Sequence, residues 1–311
     1  MDGALIVDKP SGPSSHDVVA VARRVLQTRQ VGHAGTLDPL ATGVLVLLVG
    51  RATRLSQFIV HDEKEYLAGI RLGVVTATYD AEGISGNSQL PIPNSQLPTP
   101  NSQLDQIGNW ELGVGSLENV LDGFRGTFPQ KPPPFSAKKI AGRPAYAHAR
   151  ADRVVEMKAI PVTVKQLERL PSVDPSLVQL RVVVSAGFYV RSLAHDLGQR
   201  LGCGAHLESL RRTRSGPFAV DAAVPFHELV AGAPRLIGVN DLLSNMPAVT
   251  LSEEELKLAS HGNAIGQRQV SGEAAGLDMT ERVRLLGPGG NLVAIARPGP
   301  DALLHPQVVL V

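Results

Sequence analysis

The segment that most constrains this chain is a loop with a single acid, followed at once by an apolar run. Residues 32–43 read Gly-His-Ala-Gly-Thr-Leu-Asp-Pro-Leu-Ala-Thr-Gly, and residues 44–49 are all Val or Leu, which is typical of a buried strand. Pro39 disfavours helical backbone at Asp38 and favours an extended conformation there. The carboxylate is therefore expected on a stiffened loop anchored by a strand, which suits a nucleophile. The same spacing is also typical of an Asx turn, in which Asp38 would have only a structural role.

The composition indicates a protein with an aliphatic core. Its 311 residues are 43% hydrophobic but only 4% aromatic, and this length suits one large domain with a small one. The sequence contains no apolar run of about 18 residues, so no membrane-spanning helix is predicted. The first residues lack the pattern of a secretory signal. We therefore expect a cytoplasmic protein that does not bind a membrane.

Cysteine and histidine usage argues against a metal site. Cys203 is the single cysteine, so an internal disulfide and a multi-cysteine metal site are both excluded. A small buried residue in a reducing compartment is the simplest interpretation of it. The nine histidines show no spacing typical of metal ligands. No metal is predicted.

The net charge is only +1, but basic residues form two groups along the chain. The first group is Lys131, Lys138, Lys139, Arg143, His148, Arg150 and Arg153, and the second is Arg191, Arg200, Arg211, Arg212 and Arg214. A local basic face on a nearly neutral protein is consistent with phosphate binding. Taken alone, each group is more often simply a solvated face.

Apolar periodicity predicts an α+β protein. Helical spacing is found after Ser14 and Ser15, around residues 117–124, and from Tyr189 to a glycine stop at Gly202. Alternation typical of strands is found from Tyr66 to Leu72 and over residues 178–184. Between these segments, residues 84–105 contain a proline-bearing repeat of Asn-Ser-Gln-Leu. We interpret this insertion as flexible or polyproline-like and without a catalytic role.

The pattern changes near residue 246. A short helix is predicted over residues 251–259, and strand-like runs follow at 283–286, 292–296 and 308–311. This compact β pattern predicts a separate small domain over residues 246–311, after a larger one over 1–245.

The segment around Asp38 resembles the catalytic motif of the TruB family, the tRNA pseudouridine synthases that act on the T loop. Further blocks that match the family in order and approximate spacing are residues 7–12, 64–66, 134–139, 187–193 and 202–207. Together they cover the chain from about residue 3 to residue 230. Lys9 and Asp80 also match family positions, where the residues by themselves suggest only local ion pairing.

The resemblance implies a mixed, mostly antiparallel sheet flanked by helices, the pseudouridine synthase fold, with a β-rich PUA-like RNA-binding domain over residues 246–311. The implied reaction is the isomerisation of uridine 55 in the tRNA T loop to pseudouridine. No cofactor is expected, because no group or electron enters or leaves overall. The length resembles that of the bacterial enzymes that act without a guide RNA, and we expect a monomer that binds the T-arm of tRNA.

The resemblance also implies three catalytic residues. Asp38 would be the nucleophile, and Arg191 would pair with it and keep it ionised in a dry pocket. Tyr66 would lie against the flipped uracil and could transfer a proton. Without the resemblance, Arg191 could be a surface arginine, and Tyr66 could be a core residue.

Six residues are predicted to bind the substrate. His33 would hold the flipped nucleotide and fill the space that it leaves, while Tyr189 and Leu210 would line the pocket. Each could also be purely structural: a loop histidine, a core aromatic and a core leucine. Lys138, Lys139 and Arg143 belong to the basic stretch that would contact phosphates.

Two other functions compete with this interpretation. A non-catalytic tRNA-binding or tRNA-folding protein could use the same scaffold, although it would not need Asp38, Tyr66 and Arg191 together. An unrelated hydrolase could use Asp38 as its nucleophile, but no second carboxylate is marked out by the sequence for the base that such enzymes need.

Overall fold

The computed structural model describes residues 1–84, 114–136, 139–140, 143–144, 157–232, 234–266 and 282–311. Of residues 84, 114–116, 139–140 and 143–144 it describes the backbone alone. None of the helices in these ranges has the length and hydropathy needed to cross a bilayer. The predicted insertion at 84–105 lies outside the described residues from residue 85 onward.

Short helices and many strands alternate along the described chain. The helices are α1 (Ser15–Val25), α2 (Ser56–Ile59), α3 (Val114–Asp122), α4 (Val190–Leu201), α5 (Phe226–Ala231) and α6 (Glu253–Ser260). The strands up to the middle of the chain are β1 (Gly3–Lys9), β2 (Val31–His33), β3 (Thr42–Val49), β4 (Lys64–Leu72), β5 (Gly126–Gln130), β6 (Lys139–Ile140), β7 (Arg143–Pro144), β8 (Ile160–Leu170) and β9 (Leu177–Val184). The remaining strands are β10 (Ala205–Ser215), β11 (Phe218–Ala219), β12 (Val224–Pro225), β13 (Ile237–Gly238), β14 (Ala248–Thr250), β15 (Ile265–Gly266), β16 (Val283–Leu286), β17 (Leu292–Pro298) and β18 (Leu303–Val309).

The main sheet has the strand order β12-β1-β3-β10-β4-β9-β8-β5, with β13 beside β1, β2 beside β3 and β11 beside β10. Its described pairs are antiparallel except β1 with β12 and β3 with β10. The prediction of a mixed, mostly antiparallel sheet with helices is therefore confirmed. The parallel β3–β10 pair matters for function, because it brings the strand after Asp38 next to the strand of Leu210.

The apolar run that follows Asp38 forms β3 in the middle of this sheet, and it is covered on both faces. Side chains of a strand alternate between faces. Leu45, Leu47 and Val49 pack in a cluster with α1 and α4, whereas Val44, Val46 and Leu48 pack on the opposite side. A strand buried on both faces requires an unbroken apolar sequence, which explains residues 44–49.

The second sheet packs against that opposite side. Its strand order is β14-β16-β17-β18-β15, and Leu292, Ile295 and Leu310 belong to the same apolar cluster as Ala4 and Ile6 of β1. The Arg54 side chain also donates a hydrogen bond of 2.7 Å to the carbonyl oxygen of Val309. The change of pattern near residue 246 therefore coincides with the start of a second sheet, and the two sheets share a core.

Helix ends follow local capping rules. Ser14 caps α1 in a reciprocal pair with Asp17, and Gly202 ends α4 in the left-handed conformation, with a φ of 75°. Two predicted bounds were wrong. The helix predicted from residue 251 begins at Glu253 because Ser252 caps it. The strand predicted at 308–311 is β18, which starts at Leu303 because His305 and Pro306 also pair with β17.

Close packing of backbone limits the sequence at Gly43. Its φ is +98°, and a Cβ there would lie 2.2 Å from the carbonyl oxygen of Arg212. We expect Gly43→Ala to lower the free energy of unfolding by about 2 kcal/mol or more, since it adds a clash to an unfavourable backbone conformation. Gly32→Ala is the control, because its Cβ would meet nothing within 4 Å. Urea denaturation of both variants tests this, and equal midpoints would contradict it.

Candidate active site

The Asp38 loop connects β2 to β3 and is tied to the segment after β1. The carbonyl oxygen of Pro39 accepts hydrogen bonds from the backbone N–H of Gly12 at 2.9 Å and from Lys9 Nζ at 3.1 Å. Lys9 is fully buried, donates also to the carbonyl oxygens of Pro10 and Pro13, and burial lowers its pKa to about 8. Instead of the local ion pair suggested by the sequence, Lys9 makes three bonds to backbone oxygens that fix this loop.

Asp38 and Arg191 form a two-point ion pair. Arg191 Nε lies 2.9 Å from Asp38 Oδ2, and Nη2 donates to Asp38 Oδ1 at 3.1 Å. The Arg191 side chain is only 8% exposed, whereas that of Asp38 is 32% exposed. A planar guanidinium that meets a carboxylate with two parallel bonds fixes both distance and orientation. Asp38 is therefore held in one orientation and is still accessible from solvent.

Asp80 completes the contacts of Arg191. Asp80 Oδ2 lies 3.4 Å from Arg191 Nη1, and its side chain is 2% exposed. The same Nη1 donates to the carbonyl oxygen of Thr78 at 3.3 Å, and Thr78 Oγ1 bonds to Asp80 Oδ1. The guanidinium thus lies between two carboxylates. Sequence reasoning did not assign Asp80 to the site, and its match to a family position was the only signal.

The charges around Asp38 act in opposite directions on its pKa. Burial raises the pKa of Asp38 above its ordinary value, Arg191 opposes that rise, and the negative charge of Asp80 adds to it. Lys9 is a further, weaker opposing charge. A carboxyl with a raised pKa takes up its proton at a higher pH as the solution is acidified. Arg191 therefore favours the ionised form of Asp38 against burial and Asp80.

Glu82 is a third carboxyl near this pair. It accepts a hydrogen bond from the backbone N–H of Leu40, and burial together with the charges of Asp80 and Asp38 raises its pKa. Three carboxyls thus interact around one buried guanidinium. The sequence marked out no second carboxylate, because Asp80 and Glu82 come near Asp38 only through the tertiary fold.

Tyr66 and Leu210 lie on the neighbouring strands β4 and β10. In the sheet, Gly43, Arg212 and Tyr66 form one row across three strands, so Tyr66 is about 10 Å from the end of the Asp38 loop at ordinary strand spacing. Tyr66 and Leu210 are buried in the apolar cluster that also includes Leu37. Both residues thus share that core with the residue directly before Asp38.

His33 ends strand β2 and contacts a second histidine. Its ring meets that of His16 edge-on, with centroids 5.4 Å apart. Its Nδ1 is buried and has no hydrogen-bond partner among the described residues. Burial lowers the pKa of His33, with smaller effects from His16 and Arg212. His33 is thus favoured in the neutral form. His16 was not predicted, and no sequence pattern pointed to it.

Tyr189 is the residue that caps α4, two positions before Arg191. Its backbone N–H donates to Gln130 Oε1 at 2.9 Å, and its carbonyl oxygen accepts from Gln130 Nε2 at 3.0 Å. These two bonds fix the start of the helix that carries Arg191. Burial raises the pKa of the Tyr189 phenol, so this side chain is protonated at neutral pH.

The predicted phosphate contacts are only partly described. Lys138 lies outside the described residues, and Lys139 and Arg143 belong to the paired strands β6 and β7, of which the backbone alone is described. The second basic group is not one exposed face. Arg212 is buried and donates to the carbonyl oxygens of Val44, Gly35 and Thr36. Arg211 and Arg214 pair with Asp8 and Glu63.

In the described part of the chain, no three His, Cys, Asp or Glu side chains are grouped so as to hold a metal ion. The arrangement offers one partly exposed carboxylate, Asp38, held by a buried guanidinium, and the phenol of Tyr66 lies in the apolar core that also includes Leu37. Such a site suits nucleophilic attack on a flat, apolar-faced substrate.

The fold is similar to that of a chain in a solved protein complex. A chain in the crystal structure of a Cbf5–Nop10–Gar1 complex matches with a TM-score of 0.69 at 25% sequence identity, over 99% of this chain and 85% of that chain. The similarity extends over both sheets.

Family comparisons agree with the motifs. Residues 23–190 match the TruB family pseudouridylate synthase N-terminal domain, and residues 191–235 match the tRNA pseudouridylate synthase B C-terminal domain. The tRNA pseudouridine synthase B of Solibacter usitatus is 39% identical over 100% of both chains. That of Thermobifida fusca is 41% identical over 95% of this chain and 94% of its own length.

The chain belongs to the TruB family of pseudouridylate synthases, and the resemblance inferred from its motifs is confirmed. The family's C-terminal-domain match ends at residue 235, within the main sheet and before the second sheet begins. The predicted division at 245/246 thus remains a prediction.

Removal of Arg191 tests the electrostatic balance of the site. We expect Arg191→Met to raise the pKa of Asp38 further, because the main opposing charge is lost while burial and Asp80 remain. ¹³C NMR titration of the Asp38 carboxyl measures this directly. Arg200→Met is the control, since Arg200 lies on the same helix but bonds to Gly123 and packs over Phe124. An Asp38 pKa that is equal in both variants would contradict the prediction.

Proposed function

We propose that this chain is a tRNA pseudouridine synthase that isomerises uridine 55 in the T loop. The observation that carries the proposal is the fixed pair of Asp38 and Arg191, with bonds of 2.9 and 3.1 Å, in the family's catalytic segment. Relatives that cover nearly the whole chain carry the name tRNA pseudouridine synthase B. Asp38, Tyr66 and Arg191 are assigned as the catalytic residues.

The reaction requires the N1–C1′ bond to break, the uracil to turn in place and C5 to join C1′. Asp38 attacks the nucleotide as the ionised nucleophile. Arg191 stabilises the negative charge of Asp38 before the attack and again when the carboxylate is released. Tyr66 stacks against the uracil and moves a proton at the ring. The atoms of substrate and product are the same, so the chemistry needs no cofactor.

The target base must leave the T loop before Asp38 can reach it. Extrusion of a base costs a few kcal/mol, which stacking and edge hydrogen bonds in the pocket recover. His33, at the rim formed with His16, holds the flipped nucleotide, and its neutral ring can donate or accept a hydrogen bond. Tyr189 and Leu210 line the same pocket.

Docking on the T-arm depends on phosphate contacts and on RNA shape. The basic stretch of residues 131–153 supplies the contacts, with Lys138, Lys139 and Arg143 among them. The start of this stretch is fixed to α4, because Ser192 Oγ donates to the carbonyl oxygen of Lys131 at 2.7 Å. The second sheet, within residues 246–311, is assigned as a PUA-like RNA-binding domain.

The enzyme acts as a cytoplasmic monomer without a guide RNA. The solved structural match is part of an assembly with Nop10 and Gar1, but the relatives that match along nearly their whole length are named simply as tRNA pseudouridine synthase B. A protein that only binds or folds tRNA has no need to keep a half-buried carboxylate ionised, which disfavours that alternative.

The activity is tested on an unmodified tRNA transcript by mapping pseudouridine base by base. We expect one pseudouridine, at position 55, and a loss of at least about 10⁴-fold in rate for Asp38→Asn. Asp122→Asn is the control, because Asp122 is exposed and pairs only with Arg125 among the described residues. A transcript with cytidine at position 55 should give no product. Tight binding without product would favour the tRNA-folding protein instead.

Tyr66 can be tested for its two roles separately. Tyr66→Phe keeps the aromatic face and loses the hydroxyl, whereas Tyr66→Leu loses both. We expect Tyr66→Phe to lower kcat by about 100-fold or more, a typical contribution of proton transfer, with little change in tRNA affinity. Single-turnover kinetics and filter binding measure the two quantities. If Tyr66→Phe is fully active and Tyr66→Leu is not, stacking alone is the role of Tyr66.

A further inference from the structure

The backbone of the Asp38 loop is held by side chains from outside the loop, residue by residue. Arg212 donates to the carbonyl oxygens of Gly35 and Thr36 at 3.1 and 3.4 Å. On the other side of the carboxylate, Lys9 and Gly12 hold Pro39 at 3.1 and 2.9 Å. Leu37, directly before Asp38, lies in the sequence between these two sets of contacts.

Leu37 is held by a single hydroxyl. Ser15 Oγ accepts a hydrogen bond from the backbone N–H of Leu37 and donates one to its carbonyl oxygen, both at 2.8 Å. Ser15 is 1% exposed and Leu37 is 3% exposed. A serine hydroxyl can donate once and accept twice. Here it bonds to both the N–H and the C=O of Leu37, as a neighbouring strand would. Among the described residues, the N–H and the C=O of the buried Leu37 thus both bond to one side chain.

We infer that Ser15 is the positioning residue for Asp38. The inference rests on the proposed role of Asp38 as the nucleophile. Leu37 shares a peptide bond with Asp38, so any movement of its carbonyl moves the Cα of Asp38 directly. The two-point contact with Arg191 tolerates little movement, because both oxygens must stay within hydrogen-bond distance. Ser15 thereby acts on the reaction through the placement of the carboxylate.

This role differs from the capping of α1. Ser14 is the capping residue, and its side chain bonds to Asp17 within the same helix turn. The hydroxyl of Ser15, one residue later, instead reaches 22 positions along the chain to Leu37. Ser14 therefore stabilises the helix, whereas Ser15 holds the loop. Ser14→Ala is a matched control for Ser15→Ala.

The experiment compares Ser15→Ala and Ser14→Ala in the full-length enzyme with a tRNA transcript. We expect Ser15→Ala to lower kcat by about 10- to 100-fold, the order of effect of a misplacement near 1 Å, with KM within about twofold of the wild type. Ser14→Ala should lower the melting temperature and leave kcat unchanged. Equal losses of kcat in the two variants would overturn the inference, because they would report only a weakened helix.

Two further variants keep the test independent of folding. Ser15→Thr retains the hydroxyl and should restore most of kcat. Ser15→Cys fills the same space but bonds weakly, so it should behave like Ser15→Ala and carries the test if the alanine variant does not fold. If Thr and Ala lower kcat equally, volume and not the hydroxyl is what matters, and the inference fails.

Hydrogen exchange separates this inference from the proposed function. The amide of Leu37 should exchange slowly in the wild type and faster in Ser15→Ala and Ser15→Cys, whatever the reaction is. If the wild type makes no pseudouridine, the proposed function fails, while the exchange rates still report the contact. If Leu37 exchanges faster but kcat is unchanged, Ser15 holds the loop without positioning the nucleophile.

Discussion

The contact between Asp38 and Arg191 is the interaction on which the rest of the site depends. A carboxylate in a largely dry pocket tends to take up a proton, and a guanidinium in such a pocket is costly without partners. Arg191 compensates the negative charge of Asp38, and Asp38 compensates the positive charge of Arg191. Asp80 supplies the second partner that a buried guanidinium needs. The three charges come from distant parts of the chain, so the site exists only when the main sheet is complete.

The backbone around this contact is also held in place by hydrogen bonds. Arg212, Ser15 and Lys9 each use a buried side chain to bond main-chain groups of the Asp38 loop. These are costly residues to bury, and each is fully engaged with backbone oxygens or amides. A loop held in this way loses little further freedom when substrate binds, which favours the accurate placement that a nucleophile requires.

Much of the fold could be predicted from the sequence because its elements carry local signals. The apolar run at 44–49 indicated a buried strand, the alternation from Tyr66 indicated a strand, and the glycine at Gly202 ended a helix. The resemblance to the TruB family supplied the type of sheet. Arg212 was misassigned to a solvated or phosphate-binding group, because neither spacing nor composition distinguishes a buried arginine from an exposed one.

The sequence by itself determined the family, the segment that matches its motif and Asp38 as the candidate nucleophile, because these depend on contiguous residues whose types and order are directly visible. The tertiary structure decided what surrounds the carboxylate: Arg191 bonded at two points, Asp80 behind it, Glu82 nearby and the hydroxyl of Ser15 on Leu37. Those residues lie up to 153 positions from Asp38. Their proximity follows from strand order and register, which are properties of the whole sheet and of no single segment.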